Sequence, residues 1–310
     1  MRTFSILGDS ISTFSGFVPR ENLVFYEGEK LESTGVLAVE DTWWMKVIER
    51  LGGRLLANAS FSGSMVEGDG FPAACSARRI GQVAGPAGES PDEILVFVGT
   101  NDYGWGGFAA QASGRSAAAP ADLDYSAYPE RTAGRAPADA AEKFGAAYRT
   151  MLAALRAAHP DACIRCVTLL PGRARDLGRP SFCYRLRGID VEEYNDRIRD
   201  AARASSCRVA DIAALGFDYD AVDGTHPSAL GMEQLASMVI AAMRVDEEVL
   251  SGKDLGSAVE SARADLIFGG VLGADMTSRR MCAEDCCVGC PHARSTGNQW
   301  SCVCEKPACA

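Results

Sequence analysis

Few groups in this sequence can activate a nucleophile, and their positions narrow the chemistry. Three histidines occur, His159, His226 and His292. His159 ends a helical stretch just before Pro160, where the helix dipole accounts for it. His292 lies inside a cysteine-rich tail. His226 belongs to Val222-Asp223-Gly224-Thr225-His226-Pro227, a glycine-containing turn. There Asp223 can fold back to accept the imidazole Nδ1–H, leaving Nε2 free to take a proton. The same Asp-x-x-His spacing also suits a cap on the following helix.

A hydroxyl for that base to act on is found near the start of the chain, in Gly8-Asp9-Ser10-Ile11-Ser12. A serine on a tight strand-to-helix turn has its hydroxyl at the sheet edge and its backbone N–H near a helix N-terminus. Gly-Asp-Ser is also an ordinary turn sequence with a capping serine. Acyl transfer further requires donors aimed at a developing oxyanion. Gly63, in Ala59-Ser60-Phe61-Ser62-Gly63-Ser64, offers an unhindered N–H, and Asn101, in Gly99-Thr100-Asn101-Asp102, an uncharged amide. Each has a plainer use, as a loop glycine at positive φ or as an amide satisfying a turn.

Of twelve cysteines, Cys75, Cys163, Cys166, Cys183 and Cys207 are scattered and read as ordinary buried thiols. Cys282, Cys286, Cys287, Cys290, Cys302, Cys304 and Cys309 crowd the last 29 residues. Thiolates two or three residues apart can bind one ion from a tight turn, and tetrahedral zinc accepts four. Cys287, Cys290, Cys302 and Cys304 form one candidate set; the remaining thiols and His292 could complete a second. A disulfide-linked tail is the alternative in an exported protein, although seven is an odd number for it. An iron–sulfur cluster is a third option. The expectation is a structural metal without a catalytic part.

These residues must be positioned by regular elements. Short apolar runs at Thr3 to Leu7, Arg54 to Ala59, Glu93 to Val98, Cys163 to Leu169 and Arg208 to Ile212 read as buried parallel strands. Between them, Thr42 to Leu51, Cys75 to Val83, Asp139 to His159, Val191 to Ala204 and Ala229 to Met243 read as helices. Asp139 and Glu142 have a capping-box-like spacing, and Phe144, Tyr148, Met151, Leu152 and Leu155 share one helical face. Strands alternating with helices predict a parallel sheet covered on both faces, with ligands beyond the strands' carboxyl ends.

The Gly-, Ala-, Ser- and Pro-rich segment 103–137 is too long for a routine connection. It is either an active-site cover or a mobile excursion; following a strand end directly, it is expected to shape the pocket. The expected organisation is a catalytic domain over 1–245, a helical extension over 246–280 and the cysteine-rich tail over 281–310. Of Trp43 and Trp44, one is expected in the core and the other near the surface.

Composition excludes several partners. The 310 residues are 47% apolar, enough for one sizeable core plus an appendage. A net charge of −10 argues against nucleic acid and anionic membranes. No run approaches the roughly 18 apolar residues needed to span a bilayer, and residues 1–7 read as a strand rather than a leader. A soluble, cytoplasmic protein is expected.

Taken together, Gly8-Asp9-Ser10, Gly63, Gly99-Thr100-Asn101-Asp102 and Asp223-x-x-His226 resemble, in order and at the expected strand ends, the four blocks of the SGNH (GDSL-like) hydrolases. The resemblance covers about residues 1–245. It implies a three-layer α/β/α flavodoxin-like fold and a serine esterase with Ser10 as nucleophile, His226 as general base and acid, and Asp223 as its orienter. It also implies an oxyanion hole from the Ser10 and Gly63 N–H groups and the Asn101 amide. Asp9 and Asp102 would organise loops. No cofactor is implied for catalysis, and the expected partner is a small ester. A thioesterase or lipase with the same triad, or a non-catalytic ligand-binding protein, are the alternatives. Only the binding protein would tolerate loss of His226.

Overall fold

The predicted strands pair as one parallel sheet because the Val-, Ile- and Leu-rich runs at its centre are buried on both faces, while the edge runs 54–58 and 208–210 are half-buried. In the computed structural model the described residues are 1–105, 137–170, 172–174, 185–186, 189–273, 293–295 and 302–304. The central strands are β1 (Thr3–Gly8), β2 (Arg54–Asn58), β3 (Glu93–Phe97) and β4 (Cys163–Val167). Short strands follow: β5 (Gly172–Ala174), β6 (Arg185–Leu186), β7 (Ile189–Asp190), β8 (Arg208–Ala210) and β9 (Tyr219–Ala221). Helices are α1 (Glu29–Thr34), α2 (Trp43–Arg50), α3 (Ala77–Gly81), α4 (Thr100–Trp105), α5 (Ala140–Ala158), α6 (Val191–Ala204), α7 (Ala229–Leu250) and α8 (Leu255–Phe268).

The sheet runs β2-β1-β3-β4-β8, all parallel. This is the flavodoxin-like order, and its switch point lies between β1 and β3. Helices α2 and α7 pack together on one side with α8 outside α7, while α5 and α6 pack together with α3 on the other. The three-layer α/β/α reading of the sequence therefore holds.

Differences from the sequence reading have local causes. Strands β2, β3, β4 and β8 end before their apolar runs do, and Ala59, Val98, Leu169 and Ile212 stay buried after leaving the ladder, whereas β1 extends one residue past its run to Gly8. Asp139 makes no side-chain cap on α5; its carboxylate instead pairs with Lys143 at 2.9 Å. The capping box falls on α6, where Asp190 accepts from Glu192 N and Glu193 reaches back to Asp190 N. Helix α7 continues through position 245 to Leu250, so the expected domain boundary lies inside a helix.

Both tryptophans are core residues, correcting the expected division between them. Trp43 and Trp44 are each fully buried, and both indoles donate to Ser12: Trp43 Nε1 to its Oγ at 3.2 Å and Trp44 Nε1 to its carbonyl at 3.0 Å. Burial of an indole of roughly 150–250 Å² is worth about 4–6 kcal/mol, enough to order a short turn beside it. Sequence separates the pair from Ser12 by a long loop, but the fold makes them its clamp.

Candidate active site

The turn after β1 forms because Asp9 caps a single 3-10 turn, its Oδ1 accepting the Ile11 N–H at 3.1 Å. Gly8 is required there: a Cβ would lie 2.6 Å from Ser12 Cβ and 2.9 Å from Ser60 Oγ. Asn58 Nδ2 adds a further bond to the Ser12 carbonyl at 2.9 Å. Ser10 emerges from this clamp at the carboxyl edge of the sheet, 7% exposed.

The facing turn is built on β9, a three-residue strand paired with β5. Val222 N donates to His226 O at 2.9 Å, Tyr219 Oη to Thr225 O at 2.6 Å and Tyr26 Oη to Pro227 O at 2.9 Å. Asp223 Oδ1 accepts the backbone N–H groups of His226 at 2.8 Å and Thr225 at 3.0 Å. Its Oδ2 lies 2.7 Å from His226 Nδ1, and His226 Nε2 lies 2.9 Å from Ser10 Oγ.

Burial raises the Asp223 carboxyl, but the His226 charge and these hydrogen bonds outweigh it and bring the pKa to about 2. Asp223 is thus an acceptor only. It fixes the Nδ1–H tautomer and leaves Nε2 to accept the Ser10 hydroxyl hydrogen.

Gly63 and Asn101 are held on adjoining loops. Gly63 has φ 79°, which a side chain rarely adopts, and among the described residues nothing accepts its N–H. Asn101 Nδ2 donates to Ser64 O at 2.9 Å, keeping its second hydrogen for another acceptor. Asp102 takes the Val66 N–H at 2.9 Å and the Glu67 N–H at 3.0 Å, pinning the segment after Gly63 to the start of α4. Burial pushes Asp102 well above the usual carboxylate range, the two N–H groups opposing it and the nearby Glu67 adding to it.

A buried cation missed by the sequence reading ties these loops together. Arg79 is fully buried and donates to the carbonyls of Ala59 at 2.8 Å, Gly8 at 2.8 Å and Pro72 at 2.6 Å. Burial pulls its guanidinium down to about 9, and the Asp9 charge opposes that fall. An Arg78-Arg79 pair in a short, partly apolar helix was the only sequence signal. Phe25 was also missed; its ring stacks on the His226 imidazole with centroids 3.5 Å apart.

Asp9 has a testable energetic consequence. Burial raises its pKa from 3.8 to about 6 against the Ile11 N–H and the His226 and Arg79 charges. The folded protein therefore binds a proton there more tightly than the unfolded chain does, and stability falls as pH rises from about 4 through 6. Asp9→Asn, which keeps the Ile11 acceptor, is expected to match wild type in urea unfolding at pH 4. At pH 8 it should be more stable by up to about 3 kcal/mol. Equal differences at both pH values would contradict the assignment.

Among the described residues no cluster of three or more His, Cys, Asp or Glu is placed to hold a metal. Cys282, Cys286, Cys287, Cys290, Cys309 and His292 lie outside the described residues, as do 106–136 of the long insertion. Cys302 and Cys304 lie on strand β11 (Cys302–Cys304), antiparallel to β10 (Ala293–Ser295). Of the scattered thiols, Cys166 is buried, Cys75, Cys163 and Cys207 are half-buried, and Cys183 lies outside the described residues. Among the described residues no helix is long and apolar enough to cross a membrane.

Comparison with known proteins follows the same lines. The model of the GDSL-like Lipase/Acylhydrolase family matches residues 2–169. No curated protein matches the chain. Among solved structures, a candidate GDSL-like lipase from Bacteroides ovatus ATCC 8483 is 23% identical, with TM-score 0.48, over 79% of this chain and 98% of that one. A second, from Bacteroides uniformis ATCC 8492, is 25% identical, with TM-score 0.47, over 77% and 93%. A family two carbohydrate esterase from Clostridium thermocellum is 14% identical, with TM-score 0.45, over 80% and 64%.

Proposed function

The chain belongs to the GDSL-like lipase/acylhydrolase family, and from that premise we propose that it is a serine hydrolase of carboxylic esters working through an acyl-enzyme on Ser10. The observation that carries the reading is the unbroken series of hydrogen bonds Ser10–His226–Asp223, at 2.9 and 2.7 Å. As Ser10 Oγ attacks the ester carbonyl carbon, its proton passes to His226 Nε2, and Asp223 supports the imidazolium. The Ser10 and Gly63 N–H groups and the free Asn101 N–H receive the oxyanion. Collapse expels the alcohol, protonated by His226. Water, deprotonated by the same ring, then releases the acid and restores Ser10. These steps use side chains and main-chain donors alone.

The substrate in this reading is a small acyl group on a carbohydrate or similar metabolite. A net charge of −10 disfavours anionic surfaces, and the apolar faces of α5 and α6 are buried in the core rather than offered to a lipid interface. The test is a panel of p-nitrophenyl esters from acetate to palmitate together with acetylated sugars. Hydrolysis is expected to be fastest for the shortest acyl chains. An enzyme that leaves every member intact, and whose Ser10 takes no label from a fluorophosphonate, would refute the reading.

A further inference from the structure

Phe25 meets His226 in an arrangement that two neutral rings do not favour. Their centroids are 3.5 Å apart and their planes 5° from parallel. Atoms in contact are themselves about 3.5 Å apart, so the rings lie almost directly over one another. Uncharged aromatic pairs prefer an offset or edge-on approach, which lowers the repulsion between their π clouds. A cation facing a π cloud is attracted instead. Of these two rings only the imidazole can carry a charge, and it does so when it holds the serine proton.

The phenyl ring is fixed relative to both reacting groups. Phe25 N donates to Thr13 Oγ1 at 2.9 Å, and that hydroxyl donates to the carbonyl of Ser10 at 2.9 Å. The next residue, Tyr26, packs edge-on against Phe25 at 5.0 Å and bonds the carbonyl of Pro227, the neighbour of His226. Positions 25 and 26 therefore bridge the nucleophile turn and the base turn. The other charged groups facing this stack are Asp223 on the imidazole edge, Asp9 behind Ser10, and the Lys30 ammonium, 5.3 Å from the Phe25 centroid. Lys30 reaches the same phenyl ring from helix α1.

We propose, resting on the hydrolase reading above, that Phe25 is a positioning residue for the base. Its ring face holds the His226 imidazole in the plane joining Asp223 to Ser10 and favours the imidazolium formed during attack. Nothing is bound or released by Phe25 itself; it acts through His226.

The experiment compares Phe25→Leu and Phe25→Tyr with wild type on p-nitrophenyl acetate, with thermal unfolding run on each. Phe25→Leu should lower kcat about tenfold, the effect of losing a partly buried cation–π contact, with KM within about twofold of wild type. Phe25→Tyr, which keeps the face, should recover kcat. In proton NMR, the His226 ring signals should lie upfield in wild type and Phe25→Tyr and move downfield in Phe25→Leu. A raised KM at unchanged kcat would make Phe25 a substrate wall and overturn the proposal. So would wild-type kcat in Phe25→Leu, or His226 signals that ignore the substitution. A wild type inert towards all esters would instead overturn the hydrolase reading, and this role with it.

Discussion

Ser10→Ala should reduce kcat for short esters by roughly a millionfold, the loss found when a triad nucleophile is removed from an otherwise intact site. The size follows from how little else can replace the hydroxyl. His226 Nε2 would face a methyl group, and water has no fixed place from which to attack. What survives is the stabilisation from Gly63, Asn101 and the main chain at position 10, worth about 10³–10⁴ over the uncatalysed reaction. Fold should be untouched, because among the described residues Ser10 Oγ bonds only His226 and the turn is held by Asp9, Asn58 and the two indoles. The measurement is kcat on protein purified free of wild type, with fluorophosphonate labelling as the stoichiometric check. A variant retaining even one hundredth of wild-type kcat would remove Ser10 from the chemistry.

Asp223→Asn should cost about 10⁴ in kcat while leaving every backbone atom in place. Oδ1 of Asp223 already accepts two main-chain N–H groups, from Thr225 and His226. In the asparagine variant that position must remain the oxygen, so the amide NH₂ is forced to face His226 Nδ1. The imidazole then has to accept at Nδ1 and carry its hydrogen on Nε2, the tautomer that cannot take a proton from Ser10. Rates and thermal unfolding measured together separate this from damage to the loop. A folded Asp223→Asn enzyme within tenfold of wild type would show that Asp223 does not choose the tautomer.

The parts of this site legible in the sequence were those whose chemistry requires a particular residue type. Ser10, Asp223, His226, Gly63 and Asn101 could each be singled out from type and from the strand ends they follow, and the fold brings Ser10, His226 and Asp223 into hydrogen-bonding contact. Strand β9 was not legible, because three residues carry no periodicity, yet it is the base on which the Asp223 turn stands. Arg79 was obscured for a different reason. Its charge suggests a solvent-facing helix position, and only the convergence of three main-chain carbonyls explains its burial. Phe25 reads as one more apolar residue in a loop, since stacking depends on a partner some two hundred positions away. The expected cap at Asp139 gave way to an ion pair with Lys143, as two local solutions of similar energy compete at a helix start.

Helix α2 braces both the turn that carries Ser10 and the helix that follows His226. Its indoles grip Ser12, two residues from Ser10, and the backbone N–H of Trp43 meets the Met232 sulfur at 3.3 Å, in the first turn of the helix that follows His226. The spacing between serine and histidine is thus set by two short links, helix α2 and residues 25–26, rather than summed over the 216 positions that separate them in the chain. Small rearrangements of α5 and α6, on the other side of the sheet, are insulated from that spacing, whereas α3 is tied to it through the Arg79 bond to the Gly8 carbonyl. Away from Arg79, the far face of the molecule is therefore free to diversify, and new loops can be tried there against a Ser10–His226 spacing that they do not disturb.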